Sequence, residues 1–147
     1  WGMVETEPGI VGAAKELSIY ASEAYWHGKG SALRRYTLRL DGFLSASAGW
    51  DGGTLLTKPL IFHGGELELN FATSAAGSLR IEVRDTKGNP LPGFSLDDCP
   101  AYFGDAVAKT ISWKDKPKLS TLAGQPVQLF FELKDADLYS FRFTEAL

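Results

Sequence analysis

The chain reads as an all-β protein, an antiparallel β-sandwich of jelly-roll type. Three observations predict it. Apolar and polar residues alternate over several stretches, most clearly in "ELELNFA", "SLRIEVRD" and "PVQLFFELK". Turns rich in glycine, proline and aspartate separate the stretches at short intervals: "DGF", "GWDGG", "HGGE", "TSAAGS" and "DTKGNPLPG". No segment carries the period of a long helix.

The beginning of the chain fits least well. "WGMVETEPGIVGAAKE" has no clean period, and "YASEAYWHGKGS" sets Tyr25, Trp26 and His27 beside a glycine-rich turn. Residues 1–30 are therefore expected to form an irregular segment or a linker from a preceding domain, with the β-sandwich over residues 31–147. Strands are expected at "LSIYA", "RRYTLRL", "FLSASA" and "TLLTKPLIF". Pro59 lacks the N–H that a sheet ladder needs, so it belongs on an edge or at a bulge. "ELELNFA" points Leu67, Leu69 and Phe71 to one face, and "SLRIEVRD" does the same with Leu79, Ile81 and Val83. "VAKTISW" adds a strand ending at Trp113, whose expected role is core or edge packing. "LSTLAGQP" holds one helical turn, ended by Gly124 and barred from continuing by Pro126. "PVQLFFELK" aligns Val127, Leu129, Phe131 and Leu133 and runs through "DAD" into "LYSFRF", where Tyr139, Phe141 and Phe143 share a face. That pattern predicts a C-terminal hairpin.

A chain of 147 residues, 44% hydrophobic and 22% charged, has the profile of a single soluble domain with a real core. Its formal net charge of -3 gives no electrostatic reason to expect nucleic acid or an anionic membrane as partner. No run of about 18 apolar residues could span a bilayer. One cysteine, Cys99 in "LDDCP", excludes an internal disulfide and a cysteine-based zinc site, and reads as a buried thiol. Because the chain begins at Trp1 and its only methionine is Met3, it is expected to derive from a longer or processed protein, and an export signal would have gone with the missing part.

Catalytic patterns are absent. His27 and His63 match no metal-binding spacing, and no nucleophile elbow or phosphate-cradling glycine motif occurs. Glu66, Glu68, Glu82 and Glu132 alternate with apolar residues, as outer-face charges do. Asp97, Asp98 and Asp105 in "LDDCPAYFGD" form the densest acidic loop; they read as turn or solvated residues, with a structural Ca2+ as the other reading. No other cofactor is expected.

Aromatic residues in the connecting segments are more informative. Trp50, the Tyr25 and Trp26 pair, and Tyr102 with Phe103 all fall between expected strands. A ring held in a loop offers a flat apolar face, which complements the axial C–H face of a pyranose. Asp51, Arg35, Arg39 and His27 could then bind the hydroxyls around the sugar's rim. Against this stands the reading of Trp50 as a plug that folds back over an open end of the sandwich.

The runs "LRRYTLRLDGFLSASAGWDGGTLLTKPLIF", "LNFATSAAGSLRIEVRDTKGNPLPGFSLDDC", "ISWK" and "LAGQPVQLFFELKDADLYSFRF" resemble the C-terminal β-sandwich found behind β-propeller catalytic domains in bacterial proteins related to glycoside hydrolase families 32 and 43. The resemblance spans residues 33–143, and "ELSIYASEAYWHGKGS" resembles the stretch joining propeller to sandwich. It implies a non-catalytic carbohydrate-binding module of a secreted or periplasmic polysaccharide-degrading protein, with a polysaccharide or oligosaccharide as ligand and a catalytic domain in the same parent chain as partner. Trp50, Trp26 and Tyr102 would stack sugars, and Arg35, Asp51 and His27 would select hydroxyls or acidic substituents. Two alternatives remain open. One is an accessory sandwich that stabilises the propeller without binding sugar. The other is a small jelly-roll lyase or hydrolase, which would need a concave sheet lined by His, Tyr and Arg; only "RRYTLRL" offers anything similar.

Overall fold

The computed structural model describes residues 2–26, 28 and 30–145. It is all-β and antiparallel, and the chain divides into two compact units, Trp1–Leu44 and Ser45–Leu147. The division falls after Leu44 and not at the expected start of the sandwich at residue 31. Its cause is local pairing, because the strand expected to open the sandwich pairs with the segment expected to be irregular.

In the first unit, β1 (Val4–Thr6), β2 (Glu16–Glu23) and β3 (Ala32–Arg39) form a three-stranded sheet in that order. β2 and β3 are in register over their whole length, from Glu16 opposite Arg39 to Glu23 opposite Ala32. Pairing is consolidated by charge: Arg35 reaches Glu16 at 2.6 Å and Arg34 reaches Glu23 at 2.9 Å. Little is buried here, and among the described residues of the unit only Ser18 is. Ile19, Tyr20, Leu33 and Tyr36 are all exposed. Since Ile19 and Tyr20 point to opposite sides of the strand, both faces carry exposed apolar surface.

The second unit holds β4 (Ala46–Ala48), β5 (Gly53–Leu56), β6 (Glu66–Arg84), β7 (Asp105–Ile111) and β8 (Gln128–Thr144), with one 3-10 turn at Leu119–Leu122 where the helical turn was expected. Strand order is β4-β8-β6-β7, and β5 pairs with another stretch of β8. β6 and β8 depart from expectation. Each is one continuous strand where the sequence suggests two joined by a turn, so "TSAAGS" and "DAD" are bends within strands and there is no C-terminal hairpin. Ten residues of straight strand span roughly 33 Å, yet the rings of Phe131 and Phe141 stand 5.8 Å apart. The sheet therefore folds over, and its two halves enclose one core.

Three neighbouring strands bend at the same level. β8 turns at Asp135 (φ 44), β6 at a register shift between Thr73 and Ser78, and the edge is interrupted between β4 and β5 by the Gly49–Gly53 turn. The Asp135 N–H donates to the Gly49 carbonyl at 2.9 Å, which ties two of the bends together. Gly77 completes the corner. A Cβ there would lie 2.8 Å from the Lys134 carbonyl oxygen and closer still to that of Asp135, so only glycine fits.

On one side of the bend the order is β4, β8, β6, β7; on the other it is β5, β8, β6. The outer edge of this second half is covered by residues 90–102, through backbone bonds from Val83 to Phe94 and between Leu79 and Tyr102. The core holds Leu67, Leu69, Phe71, Leu79, Ile81, Val83, Val127, Leu129, Phe131 and Leu133, every residue that the alternation selected in those stretches. Further along β8 the pattern shifts: Phe71 pairs with Leu138 and Asn70 with Ser140, so Tyr139 is an extra residue and Leu138 is the one buried. Pro59 is exposed and lies just beyond β5, outside any named strand.

Candidate functional site

Trp50 occupies the corner turn. The Gly52 N–H donates to the Gly49 carbonyl at 3.0 Å, and Gly52 takes φ 79, a conformation that β-carbon-bearing residues rarely adopt. This turn projects the indole outward, leaving Trp50 60% exposed. It does not plug the sandwich.

Beside it lies an open cleft of about 450 Å3, lined by Asp51, Gly52, Gly53, Thr54, Ser78, Glu132, Leu133 and Lys134. Strand pairing explains the set, because Thr54 is opposite Glu132, Glu132 opposite Arg80, and Ser78 opposite Lys134. Their side chains share the outer face, away from the core filled by Leu133 and Leu79. The cleft floor is electrically balanced. Arg80 donates to Glu132 Oε1 through both Nε (3.0 Å) and a terminal nitrogen (2.6 Å), and this hydrogen bonding holds the guanidinium above its ordinary pKa. Lys134 places its ammonium 4.2 Å from the centre of the Trp50 ring. The Asp51 carboxylate is exposed and has no hydrogen-bond or ion-pair partner among the described residues.

The other expected site residues are not gathered here. Tyr102 packs its ring against the core, and its hydroxyl accepts from the Ser112 N–H at 2.7 Å and donates to the Ser112 carbonyl at 3.0 Å. It is a structural tie, and the exposed ring of that pair is Phe103. Arg35 belongs to the first unit, where it donates to Ser18 Oγ, Thr6 Oγ1, the Glu7 carbonyl and Glu16 Oε1. These bonds commit its Nε and one of its two terminal nitrogens to β1, β2 and the segment that follows β1. Trp26 is 86% exposed in the same unit and meets Tyr25 edge-on at 5.0 Å. His27 lies outside the described residues.

Asp97, Asp98 and Asp105 do not assemble a cation site. No group of three or more His, Cys, Asp or Glu side chains able to hold a metal occurs among the described residues. Asp98 accepts from Ser95 Oγ at 2.7 Å, and Asp105 opens β7 opposite Ala72. Within "RRYTLRL", Arg34 and the Tyr36 hydroxyl both engage Glu23.

Two residues serve the covered edge. The Trp113 indole N–H donates to the Ile81 carbonyl at 3.0 Å, and the Ile81 N–H reaches Cys99 Sγ at 3.3 Å. Both side chains are buried, and desolvation pushes the Cys99 thiol up to about 11. The cysteine is thus an inert part of the edge, which agrees with its reading as a buried thiol.

Sequence reasoning missed Lys134, Ser78 and Thr54. Lys134 ends the expected strand "PVQLFFELK", and the outward positions of that run (Gln128, Phe130, Glu132) continue with period two onto it. Comparison with family models, with curated proteins and with solved structures yields no match to the chain.

Proposed function

We propose that the second unit is a non-catalytic carbohydrate-binding module of a bacterial polysaccharide-degrading protein, secreted or periplasmic. The observation that supports this most is the exposed Trp50 at the rim of a polar cleft. A pyranose lying against the indole would bring its hydroxyls within reach of Asp51, Thr54 and Ser78, while Gly52 and Gly53 let a chain approach the backbone. Affinity gel electrophoresis against neutral, uronic and sulfated polysaccharides tests the reading. Wild-type protein should be retarded in at least one gel, and Trp50→Ala should weaken that binding by about tenfold or more, ~1.4 kcal/mol. Unchanged retardation in the variant would remove Trp50 from the site and this reading with it.

A second reading has its own support. The exposed Ile19, Tyr20, Leu33 and Tyr36 of the first unit suit a sheet that packs against a neighbouring domain, such as a propeller in the parent chain. On that reading the chain is an accessory that stabilises an enzyme. Sedimentation velocity at rising concentration should then show self-association, weakened by Ile19→Ser with Tyr36→Ser. A monomer at every concentration argues against it.

A further inference from the structure

We infer that the cleft beside Trp50 selects acidic glycans, with the Lys134 ammonium anchoring an anionic substituent of the sugar, a carboxylate or a sulfate. The inference rests on the carbohydrate reading above and names the class of ligand. Lys134 is exposed, lines the cleft and lies over the indole face. No carboxylate of the described residues comes within ion-pair distance of it, whereas Arg34, Arg35, Arg80, Arg84 and Arg142 each have one.

An ammonium offers donors only, so whatever completes its shell must bring acceptors. On the cleft floor, Glu132 is paired with Arg80, which donates to its Oε1 from two nitrogens. The indole holds the ammonium 4.2 Å from its ring centre, so less side-chain freedom is lost when an anion arrives than at a free surface lysine. Asp51 at the rim accepts hydroxyl donors and stands apart from the ammonium. A uronate or sulfated residue therefore fits with its charge on Lys134, its ring beside Trp50 and its hydroxyls toward Asp51, Thr54 and Ser78. Arg35, expected from the sequence to select hydroxyls or acidic substituents, is paired with Glu16, and its neighbour Arg34 with Glu23.

The test uses the whole chain in gels containing polygalacturonate, a sulfated galactan or a neutral galactan. Wild-type protein should bind an acidic gel more tightly than the neutral one, and added salt should weaken that preference. Lys134→Met should bind the acidic gel about tenfold more weakly and so lose the preference over the neutral gel, and Lys134→Arg should retain it. Loss confined to polygalacturonate identifies a carboxylate, and loss confined to the sulfated galactan a sulfate. If Lys134→Met binds every gel as the wild type does, or only gains on the neutral gel, the lysine is a cover on the indole and the inference falls. The carbohydrate reading would survive that result provided Trp50→Ala still lost binding. No retardation of wild type in any gel would overturn both.

Discussion

Trp50 and Cys99 are both decided by the backbone next to them. Trp50 is exposed because Gly52 closes the turn that carries it, so truncating its ring removes no core contact. Trp50→Ala should lower stability by less than about 1 kcal/mol, the loss of an exposed cation–π contact with Lys134, which differential scanning calorimetry would read as a Tm shift of about 4 °C at most. Cys99 is the opposite case. With its thiol raised from 9.0 to about 11, the native protein keeps a proton that the unfolded chain releases. Stability should fall as pH climbs from about 9 to about 11, and the urea midpoint of Cys99→Ala should fall less over that range. At pH 8 the native thiol should react with a thiol reagent about a hundredfold more slowly than in urea. Sequence pattern separated the two, a loop aromatic against a lone thiol in "LDDCP" that reads as buried. It was blind to Arg35 and Tyr102, whose partners Glu16, Ser18 and Ser112 are close only once strands pair.

At the scale of elements, the bends in β6 and β8 are where expectation and structure part. A run such as Ser74-Ala75-Ala76-Gly77 signals that the chain changes direction, and a hairpin turn and an in-strand bend use the same residues. Which one forms depends on the neighbouring strand: β8 bends at Asp135 beside β6, so both can fold over while staying paired. Gly77 makes that crossing possible. Gly77→Ala should cost about 2–4 kcal/mol, because the obstructing atoms are backbone and cannot rotate away. Urea denaturation reads this directly, and an unchanged midpoint would mean the corner yields more easily than its geometry implies. Phe131→Ala, on the buried side of the same strand, should cost about 3–5 kcal/mol by leaving a cavity. The alternating positions themselves were legible to the residue from Leu67 to Phe71, from Leu79 to Val83 and from Val127 to Leu133. Burial of one strand face is a local property, and the bend is not.

For the whole molecule, the contrast lies between a unit with a core and one almost without. Three strands whose faces stay wet are marginal alone, whereas the second unit buries an unbroken set of side chains from both halves of its sheet. Native-state hydrogen exchange should show it: amides of Ile81, Val83, Leu129 and Phe131 should exchange only through global unfolding, while those of β2 and β3 exchange through much smaller openings. Equal protection in both units would contradict the division. The all-β class was legible throughout, but the boundary was not. Residues 1–30 look irregular because β1 pairs with β2 over only three residues, while the full-length partner of β2, β3, lies beyond residue 30.

β8 is the inner strand of both halves of the second unit, next to β6 on either side of the bend, and it is also the last strand of that unit to leave the ribosome. Every earlier strand of the unit emerges before the one that must lie between β4 or β5 and β6. Neither layer can close during synthesis, so this unit folds after translation has passed Thr144. Its nascent form is an open set of edges, and a transcript cut short anywhere before β8 yields no partial sandwich.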